Sequence, residues 1–402
     1  MVKSVVDLPA SSGAQITLKV AKLPLQDAVA LFGAFAGPTL GAEEFASTVL
    51  RLSGSETPVR PLFAPSAALG DAADPQAILA AHHLASMLQA QGKLVEAEAL
   101  SRQCVEALRA RYGAADAYTL AAQNSLACLL QNLGKLPEAR RLYLQTVEMQ
   151  RRLLGREHPD TMATLENLGT LLVEADELDH AAPLLREVIS VRRRLQGDAH
   201  VDTLRSFNNL ALLLQKRGKL VDAEQLLQQA LLAQTRVLGP SDPESLTTMG
   251  NLAVVLEELH RTAEAETMHR QVWEARRAAL GLAHLDTLTS ANNLAAFLMG
   301  QRRFVEAAPL LREALEVASA SYAPEHFFVA SLQARLGSCL AALQDFAAAE
   351  QLLVAGYNGL KVALGGLHQR TQRVASALVD LYDSWGKRDR ATIYRTALAS
   401  CS

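Results

Sequence analysis

The sequence is poor in the residues that build disulfide-linked, sheet-rich or nucleic-acid-binding proteins. Only 4 of its 402 residues are cysteine, only 5% are aromatic, and 39 Lys and Arg nearly balance 42 Asp and Glu. The few cysteines form no Cys-x-x-Cys pair, which excludes a disulfide scaffold and fits a reducing cytoplasm. A net charge of -3 gives no basic field for a phosphate backbone, so we expect no nucleic-acid partner.

Signals for membranes and export are also missing. The most apolar stretch outside the patterned region, residues 28–37, has about ten residues, whereas a membrane span needs about 20. The first 22 residues contain lysines but no arginine, which is poor material for a transit peptide. We therefore expect no membrane partner and a cytoplasmic location.

What the sequence does contain is a strict internal repeat. An alanine recurs every 42 residues, from Ala97 through Ala139 to Ala391, eight times without insertion or deletion. A leucine lies thirteen residues before each of these alanines, from Leu84 to Leu378. Chance does not produce such spacing, so the protein is predicted to be one array of equal units rather than two or three unrelated domains.

Each unit is predicted to be a pair of helices. Residues 203–215 place their apolar side chains on one helical face, helix A, and residues 220–237 do the same in helix B. Gly218 between them suits a helix end with positive φ, and the small Ala223 lets the two helices approach closely. Elements such as His200-Val-Asp-Thr203 predict helix starts capped by acidic or hydroxyl side chains. The fold class is therefore all-α.

The repeat resembles the tetratricopeptide repeat. Counting Leu204 as position 1 of helix A, the pattern has Leu at positions 7 and 11, Gly or Ala at 8 and Ala at 20. The 42-residue unit, with Asn-Asn-Leu-Ala at 208–211, Gly-Lys-Leu-Val-Glu-Ala-Glu at 92–98 and Leu-Gly-x-x-His-x-Asp-Thr at 280–287, is similar to the repeats of kinesin light chains and nephrocystin-like proteins. This resemblance covers residues 74–401 and implies an α-solenoid, a right-handed superhelix of helix-turn-helix repeats.

Residues 1–73 do not carry the repeat. They contain six prolines and no sustained heptads, whereas kinesin light chains have a coiled coil ahead of their repeats. We expect an N-terminal leader with short helices near 26–36 and 42–52 and a Pro/Ser/Ala linker. Residues 74–402 are then predicted to hold seven full repeats and a truncated eighth that caps the array.

The A helices are predicted to bind a peptide. In this architecture they line the concave wall, so positions 2, 5, 6, 9 and 13 are expected to face a groove. Asparagine is unfavourable in the middle of a helix, but its amide can both donate to and accept from an extended peptide backbone. The residues predicted to bind peptide in the concave groove are Asn124, Asn167, Arg205, Asn208, Asn209, Lys216, Asn251, Asn292 and Asn293.

A competing interpretation is that these asparagines join one repeat to the next. The charges do not decide between the two, since Arg205 and Lys216 share the predicted groove with Glu166 and Glu174, as well as Glu257 and Glu258. The sequence therefore predicts no charge preference for the bound peptide.

No pattern in the sequence predicts catalysis or a cofactor. The His-x-Asp-Thr elements occur once per repeat, without a second histidine at metal-ligand spacing, and no Walker loop or Gly-x-Ser-x-Gly motif is found. We expect a non-catalytic protein-protein interaction scaffold that binds a peptide or partner segment, without metal or cofactor. The alternatives are a kinesin light chain-like cargo-adaptor subunit of a microtubule motor complex and a regulatory or sensor module acting with a nucleotide-binding partner in a signalling complex.

Overall fold

The computed structural model describes residues 4–9, 15–20, 75–90, 92–322 and 326–399. The short helices predicted near 26–36 and 42–52 lie outside these residues. The first two segments form an antiparallel hairpin, β1 (Ser4–Pro9) and β2 (Gln15–Val20), in which Ser4 lies opposite Val20. The sequence analysis did not predict these strands, although both segments contain the β-branched residues that strands favour.

The remaining described residues form sixteen helices, which alternate between the A and B types. In sequence order they are α1 Pro75–Ala90, α2 Leu94–Tyr112, α3 Ala117–Asn132, α4 Leu136–Leu153, α5 Pro159–Glu174, α6 Leu178–Gln196, α7 Val201–Lys216, α8 Leu220–Val237, α9 Pro243–Glu258, α10 Thr262–Leu280, α11 Leu285–Gly300, α12 Phe304–Ser321, α13 Phe327–Ala342, α14 Phe346–Leu364, α15 Gln369–Ser384 and α16 Arg388–Ala399.

This order confirms the predicted all-α repeat fold of the solenoid class. Every A helix has 16 residues, and the B helices have 18 or 19 except α16, which has 12. By their contacts the residues divide into two compact units, one of 1–142 with 321–327 and one of 143–320 with 328–402. Within the second unit, each helix from α5 to α11 packs against the next, and α7 also touches the A helices α5 and α9.

The turn between helices A and B has the same backbone shape in all eight repeats. Glycine adopts a positive φ there in four of them, for example at Gly218 (φ 71°), as the sequence predicted. The other four repeats hold the same conformation with side chains that disfavour it. The residues with positive φ in these four repeats are Asp176, His260, Arg302 and Gln344. The packing of the repeat therefore fixes this turn even where no glycine is available.

The repeated alanine sits at the closest approach of the helices. Its side chain is 0% exposed in every repeat, from Ala97 to Ala391. A larger side chain has no room there and overpacks the contact. Around these alanines, leucines and phenylalanines such as Leu204 and Phe207 complete the core of the helix pairs.

The helix starts differ from the prediction in one respect. We expected acidic or hydroxyl side chains to cap helix A, but in four repeats a histidine ring does so. The Nδ1 atom of His200 accepts the N–H of Asp202 at 3.2 Å, and His158, His284 and His368 repeat the contact. The threonine three residues after the histidine instead faces inward, where the Thr161 hydroxyl donates to the Gly155 carbonyl at 2.9 Å. The histidines thus satisfy backbone amides that the first helical turn leaves free.

Replacing Gly356 with alanine is expected to lower the free energy of unfolding by about 1–3 kcal/mol. A Cβ atom there lies 2.7 Å from the Ala330 carbonyl oxygen and 2.9 Å from the Ala334 nitrogen, and this backbone cannot swing aside as a side chain does. Urea unfolding followed by circular dichroism measures the change.

Gly250 provides the matched control, because it also lies inside a helix but a Cβ atom there meets nothing within 4 Å. Gly250→Ala should raise the free energy of unfolding by about 0.5–1 kcal/mol through better helix propensity. Equal effects of the two substitutions would contradict the packing described for α13 and α14.

Candidate peptide-binding surface

One face of the A helices is open to solvent across consecutive repeats. Positions 2, 6, 9 and 13 of α5, α7, α9 and α11 are all exposed or half-buried. We call these sixteen residues the A face. On α7 they are Arg205, Asn209, Leu212 and Lys216. The A face comprises four of the five positions that the sequence assigned to the groove.

Position 6 forms a row of asparagine side chains on the A face. Asn167 and Asn209 are half-buried, while Asn251 and Asn293 are exposed. In the part of the protein described by the structure, the amides of Asn209 and Asn293 bond to no other residue. The amide donors and acceptors of these two side chains are therefore available to water or to a ligand.

Position 5, which the sequence assigned to the groove, turns toward the neighbouring A helix. Asn208 is only 8% exposed, and its amide nitrogen donates to the Thr248 hydroxyl on α9 at 2.8 Å. Its oxygen accepts a longer bond of 3.4 Å from Asn251. At this residue the competing interpretation holds, since Asn208 joins two repeats. Asn292 is half-buried with an Oδ1 atom that accepts no bond within the described residues, and Asn124 lies half-buried on α3 in the other unit.

The predicted cationic residues lie at the surface. Arg205 is exposed and donates to Glu244 on the next A helix at 3.1 Å and to Asp202 at 3.4 Å. Lys216 is exposed at the end of α7, where the neighbouring Gln215 donates to Glu258 at 2.6 Å. Exposed pairs of this kind contribute little to stability, about 0–1 kcal/mol each, so these side chains can exchange partners easily.

A buried polar position on the B helices was missed by the sequence analysis. Gln150, Arg192, Gln234 and Arg276 follow one another at the repeat spacing and are 9% exposed or less. The signal was present, because a polar residue interrupts the apolar stripe of helix B at the same place in four repeats. Helical periodicity counts apolar residues, however, and treats such interruptions as noise.

The hydrogen bonds of Arg192 show how a polar side chain is accommodated at this buried position. Its Nη1 atom donates to Glu166 at 2.8 Å, to the Asp202 carbonyl at 2.8 Å and to the Ser206 hydroxyl at 2.6 Å. The side chains of Arg192 and Glu166 are 10% and 8% exposed. Glu166, which the sequence counted among the groove charges, is therefore buried and neutralised inside the third repeat.

A second buried polar group on the B helices is His269 of α10. Burial lowers the pKa of His269 to about 4, and the ring packs 5.4 Å from that of Phe297. Its Nε2 atom lies 4.0 Å from the carboxylate of Glu257, whose pKa is raised by burial and by the charge of Glu258. The pair is thus held with histidine in its neutral form.

The described residues do not bring together three or more His, Cys, Asp or Glu side chains in a metal-binding group. Among the helices that the structure describes, none has the length and apolar character needed to cross a membrane.

Comparison with known families identifies the class. The tetratricopeptide repeat family matches residues 76–150, 118–194, 202–278 and 286–361, which together make up more than half of the sequence. The protein belongs to the tetratricopeptide repeat family, and its repeats resemble those of kinesin light chains. Proteins of this family bind protein partners and are typically non-catalytic scaffolds. Among curated proteins, none matches this sequence.

Several solved structures are similar to this chain. A putative kinesin light chain from Podosopora anserina with nearly identical TPR-like repeats is 26% identical over 50% of this chain and 95% of its own, with a TM-score of 0.43. The apo quorum sensor NprR from B. thuringiensis is 12% identical over 81% of this chain and 87% of its own, with a TM-score of 0.54. A signal transduction ATPase with a tetratricopeptide repeat sensor from Pyrococcus horikoshii is 10% identical over 89% of this chain and 53% of its own, with a TM-score of 0.50.

The buried histidine generates a pH prediction. In the unfolded protein His269 binds a proton below its usual pKa of 6.5, whereas in the folded protein it does so only below about 4. The unfolded state therefore holds more protons between these values, and the free energy of unfolding falls as the pH drops through this window, by up to about 3 kcal/mol from this group.

His269→Gln removes the titrating group but keeps a polar side chain of similar length. Urea unfolding at pH 7 and pH 4.5 should show a smaller loss of stability on acidification in the variant than in the wild type. If the two proteins lose the same free energy, His269 does not sit in the environment described.

Proposed function

We propose that the A face is a peptide-binding groove in which an extended segment of a partner protein lies across α5, α7, α9 and α11. The row of asparagines at position 6 carries this proposal, above all Asn209, Asn251 and Asn293. Their amides are placed at equivalent points of successive helices and are exposed or half-buried. Such amides pair with both the N–H and the C=O groups of a passing backbone.

The spacing of the row fits an extended ligand. Packed helices lie about 8–10 Å apart, and an extended peptide advances about 3.3 Å per residue. One asparagine therefore meets the peptide about every third residue. Backbone recognition of this kind tolerates many sequences, so side chains elsewhere on the A face must supply the selectivity.

The row is also costly to the protein itself. Asparagine is among the weaker helix formers, and each of these residues lies in the interior of its helix. Asn208 offsets this cost through its bond to Thr248, whereas Asn209 and Asn293 have no such bond within the described residues. A bound partner gives these two residues a use that folding does not.

Two more specific roles are proposed, a regulatory module and a cargo adaptor. NprR is named a quorum sensor, and the archaeal ATPase is named for its tetratricopeptide repeat sensor, which accords with a regulatory module acting with a nucleotide-binding partner. The repeat pattern shared with kinesin light chains accords with a cargo adaptor. Affinity capture with the full-length protein separates them, since the adaptor recovers a motor heavy chain and the sensor recovers a switch ATPase.

The groove is tested with a triple variant, Asn209→Ala, Asn251→Ala and Asn293→Ala. Alanine is the strongest helix former, so the variant should remain folded with an unchanged or higher melting temperature. Each lost hydrogen bond to the ligand contributes about 0.5–1.5 kcal/mol, so affinity should fall at least about tenfold. Fluorescence anisotropy with peptides selected on the wild type from a displayed random library measures the change.

Asn208→Ala is the matched control, because Asn208 occupies the adjacent position but bonds within the protein. It should lower the melting temperature, since it leaves the buried Thr248 hydroxyl without this donor, and should affect peptide affinity less than the triple variant. Unchanged peptide affinity in the folded triple variant would rule the groove out.

A further inference from the structure

The connector between the sixth and seventh repeats departs from the pattern of the other connectors. Where the preceding connector reads Gly-Leu-Ala-His-Leu-Asp-Thr at 281–287, this one reads Ala-Pro-Glu-His-Phe-Phe-Val at 323–329. The histidine is kept, but the glycine, the aspartate and the threonine are replaced by apolar residues. Apolar residues of this kind favour burial, so the sequence of this connector suits packing against another part of the protein.

The histidine of this connector, His326, is buried, unlike its equivalents. His326 is 1% exposed, whereas the side chains of the equivalent histidines in the third, fourth and sixth repeats are 38%, 44% and 46% exposed. Its ring contacts those of Tyr322 and Phe327, with distances between ring centroids of 4.9 Å and 5.0 Å. The connector therefore presents a small aromatic cluster in place of an exposed cap.

The ring of His326 lies on the turn between helices A and B of the first repeat. A Cβ atom at Gly92 would lie 2.5 Å from Cδ2 and 2.8 Å from Cγ of this ring, so only glycine leaves room for the contact. The equivalent glycines of the fourth and eighth repeats, Gly218 and Gly386, share the positive φ of Gly92, yet a Cβ atom at either meets nothing within 4 Å. The contact at Gly92 is thus a feature of the first repeat rather than of the turn itself.

This contact joins segments that are far apart in the sequence. By their contacts residues 321–327 belong to the same compact unit as residues 1–142, although the helices α12 and α13 that they connect lie almost entirely in the other unit. In a repeat array each repeat contacts only its neighbours, and a terminal repeat with a single neighbour opens most easily. The first repeat has an additional contact beyond this scheme.

We propose that the connector 321–327 is a strap that fastens the first repeat, with His326 seated on Gly92. The strap couples the opening of the first repeat to the opening of the connector, so that this end of the array does not fray alone. Its fastened and released forms give the protein two states at this end of the array. The strap is a conformational device and does not depend on the proposed peptide groove.

Removal of the ring tests the coupling from one side. In His326→Ala the first repeat loses the strap, so amide hydrogen exchange at residues 94–100, the start of α2, should become at least about tenfold faster. His284→Ala is the matched control, because His284 occupies the same position one repeat earlier and caps α11. The control should speed exchange at the start of α11 and leave that of α2 unchanged. Mass spectrometry of the full-length protein measures both, and unchanged exchange at α2 in His326→Ala would overturn the strap.

Filling the space at Gly92 tests the coupling from the other side. Gly92→Ala displaces the His326 ring, so exchange at residues 326–332 should become at least about tenfold faster. Gly218→Ala introduces the same strain at a positive φ without meeting a neighbouring atom, and should leave exchange at 326–332 unchanged. Equal exchange of this segment in the two variants would contradict the proposal.

A double variant, Gly92→Ala with His326→Ala, separates the contact from backbone strain. If the two residues act through one contact, the melting temperature of the double variant should fall by less than the sum of the two single falls. Additive falls would show that Gly92 and His326 act independently and that there is no strap. Exchange that slows in the wild type as the protein concentration rises would assign the contact to a second copy and would likewise overturn a strap within one chain.

Discussion

The contact between helices A and B at the repeated alanine is the constraint on which the rest of the structure depends. Because this side chain is fully buried in all eight repeats, from Ala97 to Ala391, both helices cross at the same point each time. The same contact recurs with the spacing of 42 residues that the sequence displays. It also places equivalent side chains in equivalent surroundings, so that each repeat can be compared with its neighbours.

That regularity explains how much could be predicted from the sequence. Helix pairs, the buried alanines and the glycine turns depend on the local spacing of residues, which the sequence displays directly. Position 5 of helix A was harder, because whether Asn208 points to solvent or to Thr248 depends on the neighbouring helix. The histidine caps were missed since His is rarely expected to accept an amide, although the His200 ring does so at 3.2 Å. The β1–β2 hairpin lies outside the repeat, where no periodicity guides a prediction.

The charged side chains of the predicted groove show the same limit of prediction from sequence. Counting residues in the predicted groove gave a mixture of signs, and a net charge of -3 over the whole sequence pointed the same way. In the structure Glu166 is neutralised within the core, and Arg205 is engaged by Glu244. What a ligand experiences depends on the groups left without an opposite charge rather than on the total. Neighbouring helices decide which groups these are, so composition cannot identify them.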